Sequence, residues 1–173
     1  MKKSEKIILK RLNPNKDISK NYQNWMNSLE IQQYTEQKNT KHSITDIKNF
    51  VSEKNKSKNE FLYGIFLRKN KLNLHIGNIK LGPISLVHKS ANISYFIGEK
   101  RLWNKGYTTL AIKEIIKIAK RKGVKKLKAG LYEMNLGSKQ VLIKNGFKIE
   151  GIFKSEIIYK RNRFDSYWFG KIL

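Results

Sequence analysis

The hydrophobic rhythm of the chain changes near position 60: before it apolar residues recur every three or four positions, and after it they run in short strand-like blocks. Ile7 to Arg11 predicts a first strand, stopped by the turn chemistry of Asn13-Pro14-Asn15. Tyr22, Trp25, Met26 and Leu29 then share one face of a helix predicted over Ile18 to Leu29. An irregular stretch, Gln32 to Lys38, follows. Ser43 or Thr45 caps a second helix carrying Ile44, Ile47, Phe50 and Val51, which gives way to a loop over the polar run Lys54 to Asn59.

Phe61 to Leu67, Leu74 to Leu81 and Ala91 to Ile97 predict three strands. A turn at Lys69-Asn70-Lys71 joins the first pair, and a longer connection through Pro83 and His88 joins the second. Thr108 to Lys122 predicts the longest helix, with Leu110, Ala111, Ile115, Ile118 and Ala119 on or beside one face and Gly123 closing it. Lys126 to Tyr132 reads as a strand and Ser138 to Asn145 as a short helix closed by Gly146. Strands return from Phe147 to Leu173 through a hairpin turn around Arg161-Asn162-Arg163. The order β-α-α-β-β-β-α-β-α-β-β, without internal repeats, predicts an α+β sheet protein rather than a doubly wound one.

A length of 173 residues matches one domain, 1–173, with one core. No apolar run reaches the length of a membrane span, and the basic N-terminus lacks the apolar stretch of a secretion signal, so a cytoplasmic protein is expected. The absence of cysteine excludes a thiolate nucleophile and Cys-ligated metal, and with three histidines a metal-independent protein is expected. A formal charge of +24 would ordinarily suggest nucleic acid. The positive residues are mostly Lys, however, where Arg is the better fork for phosphate and base edges. The charge therefore reads as a solvated lysine-rich surface that still favours a polyanionic ligand.

The strand ending at Glu99 runs through Lys100, Arg101, Leu102, Trp103, Asn104, Lys105 and Gly106 into the long helix. Such a loop delivers backbone N–H groups to the positive end of a helix dipole and can hold an anion. Gly106 allows close approach or positive φ, and Lys100, Arg101 and Lys105 add charge. On this stretch alone, an ordinary turn with basic residues facing water would suffice. The second half decides between them: Tyr132-Glu133-Met134-Asn135-Leu136-Gly137-Ser138, then Lys144, Gly146-Phe147 and Glu150-Gly151. With Trp103 to Ala111, these resemble the GNAT superfamily and its branch of ribosomal-protein N-terminal and amino-sugar acetyltransferases. That family's loop reads x-G-K-G-Y-A-T-E-A and is followed by N-x-x-S, a lysine, G-F and E-G. The resemblance extends to Trp25 and Tyr34-Thr35-Glu36 early in the chain and to His75 through Ile79.

The resemblance implies a mixed, mostly antiparallel sheet flanked by helices, splayed between the strands ending near Glu99 and starting near Lys126. It implies acetyl-CoA as cosubstrate, without a metal. Backbone N–H groups of Asn104, Lys105, Gly106, Tyr107, Thr108 and Thr109 would hold the pyrophosphate. The backbone of Tyr95, Phe96 and Ile97 would pair with the pantetheine arm, Asn135 would hydrogen-bond it, Ser138 would lie near the sulfur, and Lys139 or Lys144 would reach the adenosine phosphates. Tyr34, Glu36, His75 and Asn78 are the candidate substrate residues. Alternation along a strand puts His75 and Asn78 on opposite faces, so that only one faces the site. Trp25 and His75 also read as core residues, and Asp165 as structural.

The sequence departs from the family pattern where many members carry a tyrosine, here Leu142, and where many carry a strand glutamate, here Gly130. Ser138 is then the candidate acid, and Glu156 or Glu36 the candidate base. Asn104, Thr108 and Leu110 replace a glycine, an alanine and a glutamate of the loop. The expected activity is acetyl transfer to the primary amine of a small molecule, a nucleotide-linked amino sugar, by a monomer or homodimer. The alternatives are a protein N-terminal acetyltransferase and a non-catalytic GNAT-like module that binds nucleic acid or a partner.

Overall fold

A computed structural model describes residues 5–37, 40–69 and 72–173. The predicted Lys69-Asn70-Lys71 turn and the residue at 38 fall partly or wholly outside them. The elements run β1 (Glu5–Arg11), α1 (Lys20–Met26), α2 (Leu29–Gln32), α3 (Ile44–Lys56), β2 (Phe61–Lys69), β3 (Leu72–Ser85) and β4 (Ser90–Ile97). A 3₁₀ turn at Lys100–Leu102 leads to α4 (Tyr107–Arg121), β5 (Lys126–Tyr132), α5 (Leu136–Lys144), β6 (Lys148–Tyr159) and β7 (Asn162–Ile172). Among the described residues no helix is long and apolar enough to cross a membrane.

The single helix predicted over 18–29 is two. Ser19 caps the first turn of α1 by accepting from Tyr22 N–H, and Asn27 ends it. The Asn27 amide donates to Gln23 O and His42 O and accepts from His42 N–H, which turns the chain into α2 instead of prolonging α1. Ser43, not Thr45, caps α3 in a reciprocal capping box with Asp46. That helix runs three residues past the expected stop because Lys54 folds back, 9% exposed, onto Glu60 at 2.5 Å. At the other end of the chain, Lys160 and Arg161 take the paired positive φ values, 47° and 67°, of a two-residue hairpin turn.

The seven strands form one sheet in the order β1-β2-β3-β4-β5-β7-β6. Every neighbouring pair is antiparallel except β4 and β5. One face packs on α4, whose Ala111, Ile112, Ile115 and Ala119 are fully buried with Ile65, Ile76, Ile79 and Leu127. The other face carries a second core of Tyr22, Trp25, Ile47, Val51, Leu62 and Phe66 beneath α1 to α3. The helices thus lie on both faces, as the α+β reading expects.

Candidate active site

Parallel pairing of β4 with β5 lasts for three residues, Ser90, Ala91 and Asn92 against Lys126, Leu127 and Lys128. Beyond them the strands diverge, leaving an opening between the C-terminal halves of both, where the resemblance predicts it. Gly98 N–H donates to Ile76 O, so the two-residue period turns the polar backbone of Phe96 toward β3 and that of Tyr95 and Ile97 toward the opening. This corrects the expectation for Phe96: its side chain lines the cleft, but its main chain faces the sheet. The Ile97 carbonyl is taken by Trp103 Nε1 at 2.8 Å, leaving Tyr95 and the Ile97 N–H as the groups a strand-like ligand could pair with.

On the α4 side the opening widens into a cavity of about 410 Å³. It is lined by Tyr95, Phe96, Ile97, Trp103, Asn104, Gly106, Tyr107 and Thr108 on one wall and by Met134 to Ser138 on the other. Asn104 has φ +60° and Gly106 +82°. Asparagine is among the few residues that tolerate the left-handed region, so its replacement of a family glycine preserves the loop's path. Gly106 is the N-cap of α4 and offers no side-chain cap to the first turn, whose N–H groups have no intrahelical acceptor by construction. Of the expected basic residues, Lys100 pairs with Glu30 and Arg101 with Glu99 at 3.0 Å. Lys105 and Thr109 do not line the cavity, and Lys144, exposed in the last turn of α5, lines none of the three cavities described here.

Asn135 is the N-cap of α5, and its Oδ1 accepts from Ser138 N–H at 3.1 Å. Its carbonyl is therefore committed to the helix, leaving the amide N–H₂ for a ligand. The buried Tyr95 hydroxyl is turned toward Ser138 without hydrogen-bond geometry. Burial pushes its pKa up to about 12, with Ser138 pulling the other way, so it stays protonated. Leu142, at the position where the resemblance expects a tyrosine, is 1% exposed in the core. The phenol beside Ser138 comes from β4 instead.

Across the opening lies a second cavity, of about 560 Å³, which meets the first at Tyr34 and Thr35. Tyr34, Glu36 and Glu156 line it, together with Tyr132, for which no role was expected. Tyr132 Oη donates to Glu36 Oε1 at 2.5 Å. Burial first and the Glu36 carboxylate second hold the phenol pKa far above its ordinary value, with Glu156 adding to the effect. Glu156 reaches the cavity through a bulge: Phe153 pairs with Ser166 and Ile157 with Phe164, leaving Lys154, Ser155 and Glu156 out of register. Asp165 pins that bulge, accepting from Ser155 N–H at 3.0 Å and pairing with Lys154 at 2.7 Å, while Arg163 donates to Ser155 O. Asp165→Ala should lower kcat several-fold by releasing Glu156, with the KM for acetyl-CoA and the melting midpoint unchanged; steady-state kinetics and a thermal melt check it. The position of the family glutamate, Gly130, faces the Trp168 indole, which lies 3.3 Å from where a Cβ would stand.

His75 and Asn78 do not lie on opposite faces. Ile65 pairs with Gly77 and Phe66 with His75, so Ile76 is an extra residue that reverses the alternation. Both side chains therefore meet, His75 Nε2 lying 2.9 Å from Asn78 Oδ1. His75 stacks on Phe66 and is edged by Tyr22 and Trp25, and it lines none of these three cavities. Asn78 does line one, a third cavity of about 350 Å³ beneath α1 to α3. Burial lowers the His75 pKa, against opposing contributions from Asn78, Gly77 and Asp17. The unfolded chain then binds the proton more readily, so this contribution to stability is complete above about pH 6.5 and is lost as pH falls below it. The melting midpoint should drop between pH 7.5 and 5.5, and His75→Phe should flatten that drop.

The residues missed in the sequence are Tyr132, Trp103 as the cap on Ile97, and Asp165 as the anchor of Glu156. None has a local signature, since each acts on a residue brought to it by the sheet. A family model for the acetyltransferase (GNAT) domain matches residues 6–148. No curated protein matches in sequence. Among solved structures, the fold matches the microcin C7 self-immunity acetyltransferase MccE in complex with acetyl-CoA and AMP, at a TM-score of 0.80 and 20% identity over 96% of this chain and 92% of that one. It matches a GNAT-family acetyltransferase from Bacillus anthracis at 0.81 and 20%, over 98% and 96%. It also matches RimL, a ribosomal L7/L12 alpha-N-protein acetyltransferase in complex with coenzyme A, at 0.83 and 17%, over 96% and 94%.

Proposed function

We propose that this chain, which belongs to the GNAT acetyltransferase family, transfers the acetyl group of acetyl-CoA to the primary amine of a nucleotide-linked amino sugar by direct attack within the β4–β5 opening. The family fixes the enzyme class and the cosubstrate: the protein is an N-acetyltransferase, and acetyl-CoA is its acyl donor. The observation that carries the rest is the opening, with a left-handed loop and helix N-terminus on one side and two carboxylates on the other.

In this reading the Asn104–Thr108 loop and the α4 N-terminus hold the pyrophosphate. The edge of β4 at Tyr95 pairs with the pantetheine arm as an added strand would. The acceptor amine sits between Glu36 and Glu156. Tyr132 fixes Glu36, and Glu156 takes the ammonium proton as general base. The Ile97 N–H stabilises the charge that develops on the carbonyl oxygen. Ser138, backed by Tyr95, is the hydroxyl placed to supply a proton to the leaving sulfur. Two features favour the nucleotide sugar: acidic groups where the amine sits, and a net charge of +24 over the whole chain to attract its diphosphate.

Thiol release from acetyl-CoA is the test. Saturation by 4-amino-4,6-dideoxy sugar nucleotides is expected, and a strict preference for peptides beginning with Ser or Ala would replace this acceptor with a protein N-terminus.

A further inference from the structure

We infer that the cavity beneath α1 to α3 receives the body of the acceptor, and that Asn78 selects an oxygen-bearing ring there. The inference rests on the acetyltransferase reading and names a specificity residue within it. The cavity, about 350 Å³, shares Lys80 and Ser94 with the acceptor cavity and Ile31, Tyr95 and Phe96 with the cofactor cavity, and Thr35 lines all three. It therefore opens onto the point where amine and thioester meet. Its walls include Tyr22, Met26, Phe50 and Phe96, and its size suits a six-membered ring with substituents.

The orientation of the Asn78 amide follows from its neighbours. His75 Nε2 lies 3.0 Å from Gly77 O and 2.9 Å from Asn78 Oδ1. A backbone carbonyl only accepts, so Nε2 carries the hydrogen and Asn78 Oδ1 accepts it. The amide nitrogen is thereby turned away from His75. Asn78 is 3% exposed, and its Nδ2 has no hydrogen-bond partner among the described residues; the Tyr22 hydroxyl lies beside it without hydrogen-bond geometry. His42 Nε2, on the same cavity, is likewise buried and without a partner among the described residues. A buried donor without an acceptor is rare and costly, and Asn78 Nδ2 is relieved by a ligand that brings an acceptor atom. A hydrocarbon acyl chain has none. A ring amine with a ring oxygen, hydroxyl or carbonyl has. The Ile76 bulge creates this arrangement: without it His75 would face away and leave the amide free to flip.

Two amines that differ by one atom test the inference, 4-aminotetrahydropyran and cyclohexylamine, titrated by ligand-observed NMR against the protein with and without coenzyme A. The wild type should bind the oxygen-bearing ring about five- to tenfold more tightly. Asn78→Leu and Asn78→Asp, which keep the volume but remove the donor, should abolish the preference. His75→Phe should reduce it while leaving the KM for acetyl-CoA unchanged. Equal affinity for the two amines in the wild type, survival of the preference in Asn78→Leu, or turnover of hexanoyl-CoA as fast as acetyl-CoA would each overturn the inference. The wild-type comparison does not depend on any variant folding. A separate titration with acetyl-CoA tells a failed subsite from a failed transferase reading, since the ring preference remains measurable when acetyl-CoA does not bind.

Discussion

Glu156→Gln is expected to lower kcat by about 10²- to 10⁴-fold while acetyl-CoA binding is unchanged, the range typical of removing a positioned general base. The isosteric amide keeps the side chain's shape and its place in the bulge, and removes only the capacity to take a proton. Glu36→Gln should do less to kcat and more to KM, because Glu36 is already the acceptor of the Tyr132 hydroxyl and would meet the amine as a fixed charge. Steady-state kinetics on both variants separates the roles. A kcat loss of equal size in both would make the two carboxylates a single electrostatic unit and remove Glu156 as the base.

Gly106→Pro should weaken acetyl-CoA binding about 10²-fold or abolish it. Proline fixes φ near −65°, whereas Gly106 sits at +82°, so the loop must take another path and the helix N-terminus is re-aimed. Gly106→Ala isolates the backbone effect: an added Cβ meets nothing within 4 Å, leaving only the left-handed strain, about 1–2 kcal/mol, or roughly tenfold in affinity. Asn104→Gly should leave binding unchanged or slightly improved, since the φ of +60° suits glycine better. Isothermal titration with acetyl-CoA reads all three variants. Unchanged binding in Gly106→Pro would move the pyrophosphate away from this loop.

What the sequence made legible was whatever local rules decide. β5 was predicted over the residues it occupies, and α4 to within one residue at each end, because amphipathic period and terminal glycine agree there. The β4-to-α4 loop and the Asn135 cap could be read from motifs that lie within a few residues. What remained hidden depends on register. One extra residue at Ile76 turned His75 and Asn78 from opposite faces to a common one, and two extra residues in Lys154 to Glu156, which face Asp165 alone, presented the candidate base. Period-two reasoning has no means of placing a bulge, which is set by the partner strand. The Tyr132–Glu36 contact joins residues 96 positions apart, and Lys54 extends α3 only because Glu60 turns back to meet it. Neither has a signature at its own position.

Acetyl-CoA is proposed to lie between β4 and β5 and to pair with the β4 edge. Amide hydrogen exchange with and without coenzyme A tests it residue by residue. New protection is expected at Tyr95, Ile97, Thr108 and Thr109, with Phe96 and Gly98, already turned toward β3, and Ile152 on the distant β6 edge unaffected. Protection absent from Tyr95 and Ile97, or appearing at β6 instead, would contradict it.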